Sequence, residues 1–187
     1  MEALQRVPRY TYAEYAEWEL DEGERFELMD GIAYAMAAPS VAHQRAVTNL
    51  LLGIGNFLKG RRCQVFAAPF DVCLNAKGDN DDTVVQPDLV VICDKSKLDE
   101  KRCNGAPDLV VEIVSPSSQK HDRFKKFHKY QNAGVREYWM VDITDNVVDV
   151  AVLEGDKYLL AEYSADSVIN SAVLEGFSVV ASEIFAE

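Results

Sequence analysis

Residues 107–114 read Pro-Asp-Leu-Val-Val-Glu-Ile-Val and contain the most informative residue of the sequence, Glu112. Apart from Glu112 the run after Asp108 is apolar, which is typical of a central strand covered on both faces. Because side chains alternate across a strand, Asp108 and Glu112 are expected on the same face. A buried carboxylate is costly unless it is paired or bound to a metal. Glu112 is therefore either a functional acid or a structural acid held by an arginine or by backbone donors.

An upstream stretch has the same five letters, Pro-Asp-Leu-Val-Val, at residues 87–91. A charged connection that contains glycine separates the two stretches, so we predict two strands and no repeat architecture. If these strands are neighbours, Asp88 and Glu112 converge.

A basic helix is predicted directly after the Glu112 strand, from about Ser118 to Asn132, closed by Gly134. The chain carries 19 Lys+Arg against 31 Asp+Glu, a net charge of -12, so this cationic segment reverses the overall sign. One face of the helix carries residues at i, i+4 and i+8, and two aromatic residues are predicted to pack inward: Asp122, Lys126 and Tyr130, then Phe124 and Phe127. A solvated helix face with one ion pair is the alternative interpretation.

The remaining pattern extends outward from these elements. Thr11 begins a capping box and a short helix to about Leu20, Asp30-Gly31 predicts a hairpin, and Ser40 caps a helix that ends at Gly60. Strands are predicted at residues 63–68, 70–74, 137–142, 147–153, 158–163 and 177–180. This order predicts an α/β fold with a mixed β-sheet flanked by helices, in a single domain over residues 1–187.

Composition narrows the class of protein. The chain has 187 residues, 48% of them apolar and 27% charged, which is typical of a globular protein. Its negative charge excludes polybasic binding to nucleic acid as a global mode. The four cysteines form no C-x-x-C pair, so we expect reduced, mostly buried thiols in a cytoplasmic protein. We expect no leader peptide and no membrane span.

These residues resemble the PD-(D/E)XK nuclease superfamily, and most closely its Uma-type branch of restriction endonucleases. The resemblance rests on Pro87-Asp88, on residues 107–117 and on the helix and strand that continue to Asp142. Residues 26–31 and His43 also look like that branch, so the likeness runs from about Thr11 to Phe185. It implies a restriction-endonuclease-like core.

The resemblance also implies a site. Asp88 and Glu112 would ligate a divalent metal, with the carbonyl of Val114 as a further ligand. Val114 stands where the superfamily motif has its lysine, and the branch supplies the amine from the helix, which here means Lys126. Residues of less certain role are His43 (capping, packing or a direct role), Glu27 (a metal-adjacent acid or a simple ion pair), Asp108 (an acid that opens its strand), Asp122 (an acid that orients Lys126), and Lys125, Lys129 and Arg123 (contacts to nucleic acid).

This donor set suits Mg²⁺ or Mn²⁺, which prefer oxygen ligands. The predicted function is a metal-dependent endonuclease that hydrolyses phosphodiester bonds in DNA, acting as a twofold homodimer. The alternative is a catalytically silent copy of the scaffold used for nucleic-acid binding or protein assembly.

Overall fold

The two Pro-Asp stretches form neighbouring antiparallel strands at the centre of a six-stranded mixed sheet. The structure, a computed structural model, describes residues 7–114 and 122–187, without the side chains of residues 122 and 123. In chain order the strands are β1 Phe26–Met29, β2 Ile32–Ala35, β3 Gln64–Ala67, β4 Asp71–Cys73, β5 Val84–Val85, β6 Leu89–Ile92, β7 Arg102–Asn104, β8 Leu109–Val114, β9 Glu137–Asp142, β10 Val147–Glu154, β11 Lys157–Ser164, β12 Val168–Asn170 and β13 Ser178–Val180.

The six-stranded sheet has the order β11-β10-β9-β8-β6-β3. Its β8–β9 pair is parallel and its other pairs are antiparallel. A five-stranded sheet has the order β2-β1-β5-β4-β7, and β12 pairs with β13. Every residue of β8 is buried, as the apolar run predicted.

The helices in the described residues are α1 Tyr12–Tyr15, α2 Val41–Leu58, α3 Phe127–Ala133 and α4 Ala181–Phe185, with 3₁₀ turns at Gly78–Asn80 and Lys95–Lys97. Of these, α2 and α3 cover the two faces of β8. Odd-numbered residues of β8 such as Val111 pack with Leu50 of α2, whereas Val110 and Val114 pack with Tyr130 of α3. The alternation predicted for the strand therefore turns Glu112 toward α3.

Local signals in the sequence account for several element boundaries. Asp30 and Gly31 join β1 to β2 with φ angles of 52° and 79°, the left-handed pair that a two-residue hairpin requires. Ser40 caps α2 by accepting a hydrogen bond from the backbone N–H of His43 at 3.2 Å. The first helix is shorter than predicted and ends at Tyr15. The predicted cap at Ser118 lies outside the described residues.

A π-helical turn, Asp122–Lys126, leads into α3, and it alters which aromatic residues face inward. Phe127 packs edge-on against Tyr158, but Phe124 is 68% exposed, so the prediction that Phe124 packs inward is wrong. A π turn holds more residues than an α turn, so the i, i+3 pair Phe124 and Phe127 no longer shares one face.

The state of the cysteines also differs from the prediction. Cys63 and Cys93 are bridged by a disulfide, so the expectation of four reduced thiols is wrong for this pair. The reason is strand register. Gln64 at the end of β3 pairs with Ile92 at the end of the antiparallel strand β6. Cys63 precedes Gln64 and Cys93 follows Ile92, so the two cysteines lie directly opposite each other. The other two cysteines, Cys73 and Cys103, are buried free thiols, and burial raises the pKa of each to about 12.

Within the described part of the chain, no helix combines the length and the apolar character needed to cross a membrane.

Candidate active site

The register of β6 against β8 brings Asp88 to Glu112. Leu89 pairs with Val111, so Asp88, one residue before the ladder, lies opposite Glu112. The backbone N–H of Ile113 donates a hydrogen bond to Asp88 Oδ2 at 2.7 Å, which fixes this carboxylate beside β8. The two acids therefore occupy opposing positions on neighbouring strands.

Lys126 lies between two carboxylates. Its Nζ donates to Glu112 Oε1 at 2.8 Å and to Glu27 Oε1 at 2.9 Å. All three side chains are buried, with exposed fractions of 3% for Lys126, 5% for Glu112 and 4% for Glu27. The π-helical turn delivers the lysine, β8 delivers one acid and β1 of the other sheet delivers the second. Of the three helix lysines near this site, Lys126 is the one that contacts Glu112.

Glu27 is held from behind by a polar network. The backbone N–H of Gln86 donates to Glu27 Oε1 at 2.8 Å, and the side-chain amide of Gln86 donates to Asp71 Oδ1 and to the Tyr15 hydroxyl. Burial raises the pKa of Asp71, although the hydrogen bonds from Gln86 and Tyr15 oppose that shift. This network fixes the position of Glu27 relative to Lys126.

Tyr130 is a site residue that the sequence placed on the correct helix face without assigning it a role. Its hydroxyl donates to Glu112 Oε1 at 2.7 Å, the same oxygen that accepts from Lys126. Complete burial, reinforced by the charges of Glu112 and Glu27, raises the pKa of Tyr130 well above its usual value. The hydroxyl therefore stays protonated and acts as a donor. The sequence indicated this contact through the i+4 spacing between Lys126 and Tyr130, which places both residues on one helix face.

His43 contacts Asp88. From the first turn of α2, its Nε2 lies 3.2 Å from Asp88 Oδ1, while its buried Nδ1 has no hydrogen-bond partner among the described residues. His43 thus orients Asp88, and it does so in addition to receiving the Ser40 cap at its backbone.

The other predicted site residues either lie away from Glu112 or have side chains outside the described part of the chain. Asp108 is at the far end of β8, where it accepts from the backbone N–H of Cys93 at 2.7 Å and pairs with Arg136. The Lys125 ammonium donates a hydrogen bond to the Tyr34 hydroxyl, and Lys129 forms an ion pair with Asp30 of the hairpin. The side chains of Asp122 and Arg123 lie outside the described residues.

The donor set can be tested for its fit to a divalent cation. In residues 7–114 and 122–187 no three His, Cys, Asp or Glu side chains are grouped as a ready cage. Asp88 and Glu112 nevertheless supply carboxylate oxygens from directly opposite strand positions, and Val114 follows on the same strand face. Each oxygen of the Asp88 carboxylate makes one of the contacts described above and keeps a further lone pair for a cation. Two such acids suit a cation that keeps several of its own waters.

Comparisons with known proteins identify the family and the fold of this chain. The Uma2 family model, described as "Putative restriction endonuclease", matches residues 12–182. A Synechocystis protein, "Uncharacterized protein slr1290", is 29% identical over 160 residues, which is 84% of this chain and 82% of the relative. A second one, "Uncharacterized protein sll1609", is 24% identical over 71% of this chain and 74% of its own length.

A solved structure shares the fold. The crystal structure of "a putative nuclease belonging to DUF820" from Anabaena variabilis aligns with a TM-score of 0.76 and 17% identity, over 94% of this chain and 97% of that chain. The predicted α/β fold class and the resemblance drawn from residues 107–142 are both confirmed.

Proposed function

Because the chain belongs to the Uma2 family of restriction-endonuclease-like proteins, we propose that it is a single-domain, metal-dependent endonuclease that hydrolyses phosphodiester bonds in DNA. The observation that carries the proposal is the buried ammonium of Lys126 held by Glu27 and Glu112, with Asp88 at the strand position opposite Glu112. A lysine enclosed by acids is costly to desolvate and gives a folded chain little net stability. Its presence here favours a chemical role.

Asp88 and Glu112, with the carbonyl of Val114, would hold Mg²⁺ or Mn²⁺. A bound divalent cation lowers the pKa of a coordinated water and neutralises charge on a phosphate. Asp88, Glu112 and Glu27 contribute carboxylates to the site, the ligand type that a divalent cation prefers.

The chain's own residues position the reacting groups. In the proposed reaction Lys126, held by two ion pairs, would donate hydrogen bonds to phosphate oxygens as their charge increases. Tyr130 and Lys126 both donate to Glu112 Oε1, so the orientation of this carboxylate is set before substrate binds. His43 has the same effect on Asp88.

The test is a cleavage assay on supercoiled, linear and single-stranded DNA and on RNA, with Mg²⁺, Mn²⁺ or EDTA. Glu112→Gln and Lys126→Met should each lower the rate at least about 100-fold, the usual cost of losing one electrostatic group in an active site. Glu154→Gln, the same exchange at an exposed position, is the matched control. Equal cleavage by wild type and both site variants would mean that a contaminating nuclease is responsible.

Metal binding is measured separately. Mn²⁺ should raise the melting temperature of the wild type and should have a smaller effect on Glu112→Gln, because a ligand stabilises only the state that binds it. No cleavage of any substrate together with no shift by Mn²⁺ would support the silent scaffold instead.

We also propose a twofold homodimer, the commonest assembly of soluble chains. Light scattering that gives a monomer mass at every concentration would reject it. The cytoplasmic location stays a prediction.

A further inference from the structure

Two basic segments of this acidic chain meet where β6 ends. Residues 59–62 follow α2, residues 93–97 follow β6, and the disulfide between Cys63 and Cys93 joins them. On a chain of net charge -12 these segments contain a single acidic residue, Asp94. Their basic residues are all exposed apart from the last, which is half-buried: Lys59, Arg61, Arg62, Lys95 and Lys97.

Hydrogen bonds connect the two segments to a further cation, Arg136, which follows α3. Arg62 Nε donates to the carbonyl of Cys93 at 2.9 Å, and the backbone N–H of Cys93 donates to Asp108 Oδ2 at 2.7 Å. The other oxygen of Asp108 lies 3.3 Å from Nη1 of Arg136, which is exposed. Asp108 therefore holds Arg136 close to Cys93. We call the two segments together with Arg136 the basic patch.

The charges of both segments act on one carboxylate. The pKa of Asp94 is lowered from its ordinary value, first by hydrogen bonds from Ser96. The charges of Lys97 and Arg62, one from each segment, lower it further. Cations from the two segments thus lie within electrostatic reach of the same point, and one acid does not neutralise them.

From this arrangement we propose that the basic patch binds backbone phosphates of the nucleic-acid substrate outside the candidate active site. The proposal rests on the proposed nuclease function. Glu112 follows Asp108 by four residues along β8, about 13 Å of extended chain. Lys126 precedes α3 and Arg136 follows it, so the buried lysine and the patch lie at opposite ends of one helix. DNA carries one phosphate per about 3.4 Å of each strand, so a contact about four base pairs from the scissile bond spans this distance.

The arginines of the patch favour phosphate as the ligand. A guanidinium presents its N–H donors in a planar fork that matches two phosphate oxygens. The guanidinium carbon of Arg61 lies 4.0 Å from the centre of the Phe57 ring, a contact that orders the head group on the surface and leaves the donors at its edge. Phosphate contacts carry no base information, so we expect the patch to bind any sequence.

The experiment measures binding by fluorescence anisotropy in EDTA, which prevents metal-dependent cleavage, on a labelled duplex of about 20 base pairs. Arg62→Gln, Lys95→Gln and Arg136→Gln should each lower the slope of log affinity against log salt by about 0.9, the value for one phosphate contact to duplex DNA. At about 0.1 M salt this slope corresponds to binding about eightfold weaker for each substitution, and the difference should disappear near 1 M salt.

Two variants serve as controls. Lys157 is an exposed lysine on β11, at the opposite edge of the six-stranded sheet, so Lys157→Gln should change the affinity by less than about twofold. Arg62→Lys keeps the charge and should keep the slope of the wild type, which separates loss of charge from loss of the hydrogen bond to Cys93.

Three results would overturn the proposal. The glutamine variants could bind with the slope and affinity of the wild type, or their loss of affinity could persist at 1 M salt, and neither result fits a phosphate contact. A polyglutamate peptide of equal charge could bind more tightly than DNA, which would indicate an acidic protein as the partner.

The same measurements separate this proposal from the nuclease function. A wild type that cleaves while all three glutamine variants bind unchanged would reject the patch and leave the function intact. Slopes that fall as expected, on a wild type that cleaves no substrate with any metal, would reject the nuclease activity and support the patch as a nucleic-acid contact.

Discussion

Replacing Lys126 by methionine tests whether the ammonium stabilises the folded state by compensating the charges of Glu27 and Glu112. At 2.8–2.9 Å and an effective dielectric constant of about 20, each of its two ion pairs contributes an attraction of about 6 kcal/mol. Desolvation of three buried ions offsets most of this attraction. Removing the lysine alone leaves Glu27 and Glu112 buried without that partner, and such broken pairs cost about 3–5 kcal/mol.

The loss should depend on pH, and its direction can be worked out. The variant folds best when one of the two carboxylates takes up a proton, so its folded state binds more protons than its unfolded chain. Its free energy of unfolding therefore falls as the pH rises. The deficit relative to wild type should be small near pH 5 and should approach its full size by pH 8.

The assay is urea unfolding followed by far-ultraviolet circular dichroism at pH 5 and pH 8. Lys125→Met is the matched control, because the same exchange at the neighbouring exposed lysine should change stability by less than about 1 kcal/mol. Adding Glu27→Gln to Lys126→Met should recover much of the loss at pH 8, since the two residues are in contact. A loss below about 1 kcal/mol at pH 8, or the same loss at both pH values, would refute the argument.

Three further outcomes are expected. Tyr130→Phe should lower stability by about 1–2 kcal/mol and weaken the response to Mn²⁺, because Glu112 loses a buried donor; unfolding curves with and without Mn²⁺ measure both. Reducing the bond between Cys63 and Cys93 should cost about 3–4 kcal/mol and expose two thiols to iodoacetamide at pH 8, while the two buried thiols with a pKa near 12 stay unmodified; mass spectrometry counts the labels. Glu137→Ala should destabilise by about 3 kcal/mol or more, because this buried carboxylate accepts from an indole, a hydroxyl and a backbone N–H; Glu137→Gln should cost less in the same unfolding assay.

Local sequence patterns were sufficient for the elements that local forces decide. Asp30-Gly31 adopts the left-handed pair of a tight hairpin, and Ser40 caps α2 with its own hydroxyl. The apolar run of β8 predicted a strand buried on both faces, and the period of two predicted the face of Glu112. Each of these features depends on residues a few positions apart, so a single stretch contains the information.

Features that depend on packing between distant elements could not be read in the same manner. Glu27 and Lys126 are 99 residues apart and meet because one sheet packs against the helix of the other. The disulfide between Cys63 and Cys93 depends on the strand register, which no single segment encodes. The outward position of Phe124 depends on a π turn, whose different spacing cannot be distinguished from an α-helix in a short sequence.

The helix position of the lysine has a physical consequence for the site. Val114 occupies the strand position where the motif of the superfamily has its amine, and it is fully buried in an apolar cluster with Tyr130. A lysine there would have to lose its hydration within that cluster. Lys126 instead enters from the helix and meets Glu112 and Glu27 from two sheets, so its charge is compensated on both sides. Under the proposed assignment of Lys126 as the motif's amine, Glu27 of β1 is the second carboxylate that compensates its charge.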